Sequence, residues 1–393
     1  MKNQRLILVI IVFAQFCCTS LWFAGNSVIN DLILTFDLKA NALSHLTSAV
    51  QFGFITGTLI FALFTVSDRF PPSRVFFICA LLGALFNLGI LLPHNNLFSL
   101  VFFRFLTGIF LAGIYPVGMK IAADYFEKGL GKSLGFLVGA LVLGTAFPHF
   151  LKGFNLGLNW QLIAVLTSSI AVLGGLAMLL LVPNGPFRKI GQKPDITAWL
   201  KSFKNPYFRS AAFGYFGHMW ELYAFWAFVP VMLNTYALFH SQANWNISIL
   251  SFVVIGLGSL SCVFGGYLAQ YFGAKKVAFT ALLLSCVCCL ISPLVFSFGS
   301  ANLFIGFLII WGLAVIADSP LFSSLVAQNA IPETKGTALT IVNCIGFSIT
   351  IISIQLINLM MKSLNPNYVY IILALGPILG LVALLPQKKT ATQ

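Results

Sequence analysis

Charge is what this sequence has least of. Only 8% of its 393 residues are Asp, Glu, Lys or Arg, against about 25% in a soluble domain. With 59% hydrophobic residues, a water-soluble fold of this length could not hide its apolar surface, which excludes a soluble globular protein. The eight cysteines (17, 18, 79, 262, 286, 288, 289 and 344) all fall inside apolar runs with no CxxC pair. They read as small core residues, and disulfides or metal sites fit poorly. No Gly-x4-Gly-Lys-Ser/Thr phosphate cradle exists, which argues against ATP-driven work by this chain alone. No hydrolase-type nucleophile arrangement or metal cluster stands out, so neither an enzyme nor a cofactor is expected. No small-residue cleavage site closes the first apolar run, and Leu21-Trp22-Phe23 continues it. Lys2 and Arg5 therefore head a retained helix rather than a signal peptide.

What is present is a series of long, continuous apolar runs. Their continuity argues against a membrane β-barrel, whose strands alternate. A spanning helix needs about 20 apolar residues, and the runs predict twelve: about 6–34, 43–66, 75–93, 98–122, 133–151, 160–182, 209–236, 246–270, 277–298, 302–327, 337–361 and 368–385. The fold class expected is an all-α polytopic membrane protein of two pseudo-symmetric six-helix bundles. The one composition shift is the basic stretch 183–208. It divides an N-terminal bundle (1–182) from a C-terminal bundle (209–393).

The net charge of +13 follows this topology. Seventeen of the 22 Lys and Arg residues fall on the side that carries both termini, and three (Lys39, Lys152 and Lys362) on the other. By the positive-inside rule both termini are cytoplasmic. Because topology accounts for most of the basic charge, no nucleic-acid partner is expected.

The halves resemble each other. Gly108 precedes Pro116 by the same interval as Gly312 precedes Pro320, 204 residues later. The loops Ser67–Val75 and Ala269–Val277 correspond at an offset of 202, and Ser20-Leu21-Trp22 falls near Glu221-Leu222-Tyr223. A duplicated six-helix unit with a site between its halves is a pattern of secondary transporters.

One stretch breaks the apolar rule. Phe213–Pro230 holds His218 and Glu221 in its middle, and a carboxylate near a bilayer centre costs about 2.5–3.5 kcal/mol on insertion scales. In a helix, Gly214, Gly217, His218, Glu221 and Phe225 share a face, read as the wall of a substrate cavity. Arg104 and Asp318 are the other charges deep in spans. A carboxyl group deprived of water holds its proton more tightly, so Glu221, with His218 one turn away, is a candidate proton carrier. The alternative is a structural pair with a base on another helix. Arg104 could bind an anionic solute or hold Glu221 or Asp318. Asp318, before Ser319 and Pro320, is a proton-coupling candidate or the cap of a broken helix.

The chain resembles the major facilitator superfamily along its whole length. Gly266-Tyr-Leu-Ala-Gln270-Tyr-Phe-Gly273-Ala-Lys275-Lys276 matches that family's loop motif with Gln270 in place of the acid. In the first half Asp68 and Arg69 match, while Phe64 and Pro71 stand where glycines are expected and Arg74 is displaced by one. The resemblance assigns these loops to gating. Arg104-Phe-Leu-Thr-Gly108 is similar to the family's intramembrane Arg-x3-Gly pattern, whereas helix 5 (Gly135, Gly139, Gly144, Pro148) lacks the Gly-Pro and Gly-Gly pairs of the antiporter motif. Ala317-Asp318-Ser319-Pro320 and Glu333-x2-Gly336 look like the nitrate/nitrite and cyanate permease-like branch, without its porter signatures.

The resemblance implies that helices 1, 4, 7 and 10 line a central cavity, and the deep charges fall on 4, 7 and 10. Trp22, Asn26, Tyr115, Trp220, Tyr223 and Trp226 join Arg104 as candidate substrate contacts, although each aromatic could instead be packing. The function expected is proton-coupled transport of a small anionic or zwitterionic solute across a bacterial inner membrane by a monomer. Its partners would be the solute, protons and the bilayer. Alternatives are efflux of amphipathic compounds or a non-transporting membrane sensor.

Overall fold

A computed structural model describes residues 4–126, 130–154, 158–188, 201–240, 245–331 and 335–385. Lys2, Lys128, Lys189, Lys193, Glu333, Lys388 and Lys389, and residues 189–200 of the expected linker, lie outside them.

Among the described residues twelve long apolar helices follow one another: α1 (Gln4–Thr19), α2 (Ala42–Leu63), α3 (Pro72–Leu91), α4 (Leu97–Tyr125), α5 (Ser133–Gly153), α6 (Trp160–Leu181), α7 (Pro206–Phe239), α8 (Ile247–Phe272), α9 (Ala274–Phe298), α10 (Ala301–Asn329), α11 (Lys335–Met360) and α12 (Pro366–Leu384). Eleven are long and apolar enough to cross a membrane, and α1 is shorter. Helices are the expected solution, because each satisfies its backbone polar groups internally where no water can. Their starts use the residues that cap helices well: Asn96, Asn159, Asn205 and Asn246 each accept a backbone N–H of the first turn.

The boundaries correct the sequence reading in two places. α3 and α9 begin earlier than positions 75 and 277, so Arg74 and Lys275–Lys276 are exposed residues of their first turns. The run 6–34 is not one helix. It breaks at Ser20–Phe23 and resumes as Ala24–Ser27 and Ile29–Thr35. α4 and α10 also break in mid-span, around Ala112–Ile114 and at Asp318.

In the first half, α1 packs on α5 and α6, and α3 on α4 and α6; in the second, α7 packs on α11 and α12, and α9 on α10. The halves meet along two seams, α2 on α11 and α5 on α8. Glycine permits this closeness: a Cβ on Gly139 would sit 3.0 Å from the Ser259 carbonyl of α8. The side that carries both termini is the terminal face, and the opposite side the far face. At the far face, Gln355 donates to Ser48 Oγ at 2.8 Å and to the Ser44 carbonyl at 3.1 Å, and Asn246 donates to the Gly153 carbonyl at 2.8 Å. These bonds join the halves across both seams.

Candidate functional site

In mid-membrane an aromatic pile crosses between the halves. Trp22 of the α1 break stacks on Tyr223 of α7 (centroids 5.6 Å, 24° between planes) and on Phe347 of α11 (5.8 Å, 28°). Phe54 of α2 lies 4.5 Å from Phe347. One layer nearer the far face, Phe23 meets Trp226 edge-on at 6.3 Å. These rings close that side of the seam.

Below the pile, toward the terminal face, lies a space of about 20 Å³, room for one water. Tyr115 of α4, Tyr215 and Tyr223 of α7, Ser319 and Ser323 of α10 and Asn343 of α11 supply its polar groups. Met219, Leu222, Ile316 and Phe347 are among its apolar walls, and no residue that lines it is charged. Tyr115 and Ser319 stand 204 residues apart and each begins the helical segment after a mid-span break, so the duplication places both breaks on the site.

None of the buried groups Arg104, His218, Glu221 and Asp318 lines this space, and each is engaged elsewhere. Arg104, fully buried, donates to the Leu21 carbonyl through both terminal nitrogens, to the Trp22 carbonyl, and to Asn87 Oδ1 at 3.0 Å. The turn at Ser20–Phe23 takes those carbonyls out of the helix ladder, and the guanidinium replaces the missing donors. Charged hydrogen bonds of about 1.5–3 kcal/mol each can together offset the cost of burying the cation. Arg104 thus joins α4, α3 and the α1 break; neither Glu221 nor Asp318 is its partner.

Glu221 accepts from Trp311 Nε1 of α10 at 2.6 Å, from Cys289 Sγ of α9 at 3.2 Å and from Ser285 Oγ of α9. His218 Nδ1 lies 2.8 Å from Asp318 Oδ1, both residues about 1% exposed. The Glu221 face of α7 is real, but its direction differs from the sequence reading. Gly217 sits against the backbone of Gly376 in α12, Gly214 against the Phe322 ring of α10, and Phe225 against Trp311 at 4.7 Å. That face points into its own bundle, while Tyr215, Met219, Leu222 and Tyr223 point to the space. Glycines at 214 and 217 mark a close helix contact, and both directions are buried and apolar, so periodicity could not choose between them.

The remaining candidates separate in the same way. Trp220 turns to α12 and donates to the Ile372 carbonyl at 3.1 Å, and Asn26 donates to Thr47 Oγ1 of α2 at 2.8 Å. Trp226 is buried in the pile with its indole N–H unpartnered. In the loop after α2, Asp68 pairs with Lys120 of α4 at 2.9 Å, closer than the local Lys120–Asp124 pair at 3.8 Å. Arg69 donates to Thr65 Oγ1. Arg188, at the start of the linker, donates to the carbonyls of Asp68 and Phe70. In the second loop Gly273 adopts φ +84°, a conformation that favours glycine, while Gly266 has open space around it and Gln270, Lys275 and Lys276 are not buried. His149 is a further polar residue of the first bundle. It is buried in α5 with Nε2 unpartnered, on the face of Val138 and Leu141 that lines the space; that spacing was the available signal.

The profile of the Major Facilitator Superfamily matches residues 11–354 and again 211–393. The chain belongs to this family of secondary transporters. Among solved structures it is similar to the nucleoside transporter NupG, determined as a point mutant, with a TM-score of 0.71 and 15% identity over 97% of this chain and 99% of that one. At that identity the likeness shows the fold. No curated protein matches in sequence.

Proposed function

We propose that this chain is a proton-coupled secondary transporter that carries a small organic solute by alternating access. We place it as a monomer in a bacterial inner membrane with both termini cytoplasmic, as the excess of Lys and Arg on the terminal face favours. The domains are the bundles 1–182 and 209–393 with the linker 183–208 between them. The far side is closed by the ring pile and the space leans toward the terminal face, which suits a state that exchanges solute with the cytoplasm. The loops at Asp68–Arg74 and Gly266–Lys276 would hold the opposite state.

The observation that carries proton coupling is the His218–Asp318 pair. It is buried, it joins α7 to the break in α10, and both residues immediately precede groups that line the space, Met219 and Ser319. His218 Nε2 and Asp318 Oδ2 have no hydrogen-bond partner among the described residues, so the pair has atoms on which a proton can arrive. The groups around the pair are the Tyr215 and Phe322 rings, each 6.1 Å from the His218 ring, Cys262 of α8, and Glu221 on the next turn of α7. Glu221 has three donors and serves as the anchor of α7 to α9 and α10. The test is solute accumulation in proteoliposomes under an imposed pH gradient. Asp318→Asn is expected to abolish gradient-driven accumulation and keep solute exchange; accumulation unchanged in that variant would remove the pair from the coupling path.

A further inference from the structure

We infer that the space at the seam takes an uncharged, flat ring with hydrogen-bonding edges, a neutral heterocycle, rather than the anionic or zwitterionic solute expected from Arg104. The inference rests on the transporter reading, and names the substrate class of that site.

Three observations support it. First, every buried charge near the seam is already engaged: Arg104 by two carbonyls and Asn87, Glu221 by Trp311, Cys289 and Ser285, Asp318 by His218. A carboxylate solute would enter a space with no free cation on its walls, and an unpaired buried charge is strongly disfavoured. Second, the polar groups on the walls are neutral. Tyr115, Tyr215, Tyr223 and Asn343 line the space, and behind them the indole N–H of Trp22, which is 1% exposed, has no hydrogen-bond partner among the described residues. Hydroxyls and an amide can both donate and accept, and the indole donates, so together they match a ring edge that carries donors and acceptors. Third, the roof is aromatic, with the Tyr223 and Phe347 rings 5.2 Å apart and inclined by 47°. Tyr223 and Phe347 both line the space and both stack on Trp22. Offset stacking contributes about 0.5–1.5 kcal/mol per ring beyond burial and selects planar solutes. A space of about 20 Å³ is too small for the ring itself, so binding parts α4 and α10 at their breaks, where Tyr115 and Ser319 sit.

The test is thermal unfolding of the purified full chain in detergent near neutral pH. The ligands are uracil and adenine as neutral rings, orotate as the carboxylate counterpart of uracil, and ribose as a neutral non-aromatic solute. Each is added at about 10 mM, above the usual 1 μM–1 mM range of half-saturation. The expected result is a raised Tm with at least one neutral ring and none with orotate or ribose. Tyr223→Phe and Asn343→Ala, which leave the packing in place, should each weaken that binding by about tenfold, the worth of one good hydrogen bond. Stabilisation by orotate or ribose, or by none of the four, overturns the substrate class. Uptake under a pH gradient is scored separately. A neutral ring that binds but is never moved defeats the transporter reading alone. Gradient-driven uptake of orotate in a protein that ignores neutral rings defeats the class alone.

Discussion

Arg104 holds the carbonyl oxygen of Leu21 with both terminal guanidinium nitrogens, each at 3.1 Å. The cation closes a gap in the backbone of another helix, and its planar fork is what allows two nitrogens to share one oxygen. Arg104→Lys should lower stability by about 3 kcal/mol or more, since a lysine reaches fewer of these acceptors and leaves buried carbonyls unpaired. Unfolding in detergent reads this directly. The folded fraction is expected to keep its solute affinity; weaker binding at unchanged stability would mean that Arg104 touches the solute.

Glu221→Gln separates the two buried acids. The amide keeps one acceptor oxygen for the Trp311 N–H and the Cys289 thiol and places a donor opposite the Ser285 hydroxyl, a mismatch of about 1–3 kcal/mol. The variant should be less stable yet show an unchanged pH profile of transport, whereas Asp318→Asn should flatten that profile. A shifted profile in Glu221→Gln would return the proton to Glu221.

The glycines of α7 give a steric contrast. A Cβ on Gly217 would collide with the Gly376 carbonyl, and one on Gly376 with the Gly217 carbonyl, whereas nothing lies within 4 Å of the corresponding point on Gly266. Gly217→Ala should destabilise the protein by about 1–3 kcal/mol, the usual cost of overpacking, and Gly266→Ala should be tolerated. Equal melting temperatures in the two variants would show that α7 and α12 are further apart than described.

A short cross-link can fix the far side. Gln355 Nε2 lies 2.8 Å from Ser48 Oγ, and the eight native thiols are all buried. In the double variant Ser48→Cys, Gln355→Cys, a short bifunctional methanethiosulfonate that bridges the two thiols should stop solute uptake, and a reductant should restore it. Full transport by a quantitatively cross-linked protein would exclude opening at that edge.

Much of the fold is legible in the sequence because the bilayer enforces length and hydropathy. Eleven of the twelve expected spans follow from those two rules, and the first run is a shorter helix followed by a break. The break in α1 is not legible, since Ser20–Phe23 contains neither Gly nor Pro and its cause, Arg104, lies about 80 residues further along the chain. The site is half legible. Tyr115, Trp22 and Tyr223 are named by chemistry and by the family's pattern of lining helices. The direction of the Glu221 face is hidden, because a bundle interior and a seam are equally dry. Asp68 and Lys120 needed the third dimension: the i,i+4 partner Asp124 is the obvious one on paper, and the loop acid is the nearer one in space.

A Cβ on Gly108 would strike the Val50 carbonyl, and one on Gly312 the Val254 carbonyl, with 204 residues between the members of each corresponding pair. Duplication has kept a joint as well as a helix pattern. In each half this joint fastens a cavity helix (α4 or α10) to a seam helix (α2 or α8) with backbone against backbone, leaving no side chain to slide or repack. Each fastened pair then moves as one stiff plate, and the freedom needed for transport falls to the mid-span breaks and to the planes between plates. Slow steps of the transport cycle should therefore respond to substitutions along α2–α11 and α5–α8, and hardly at all to conservative changes inside either plate.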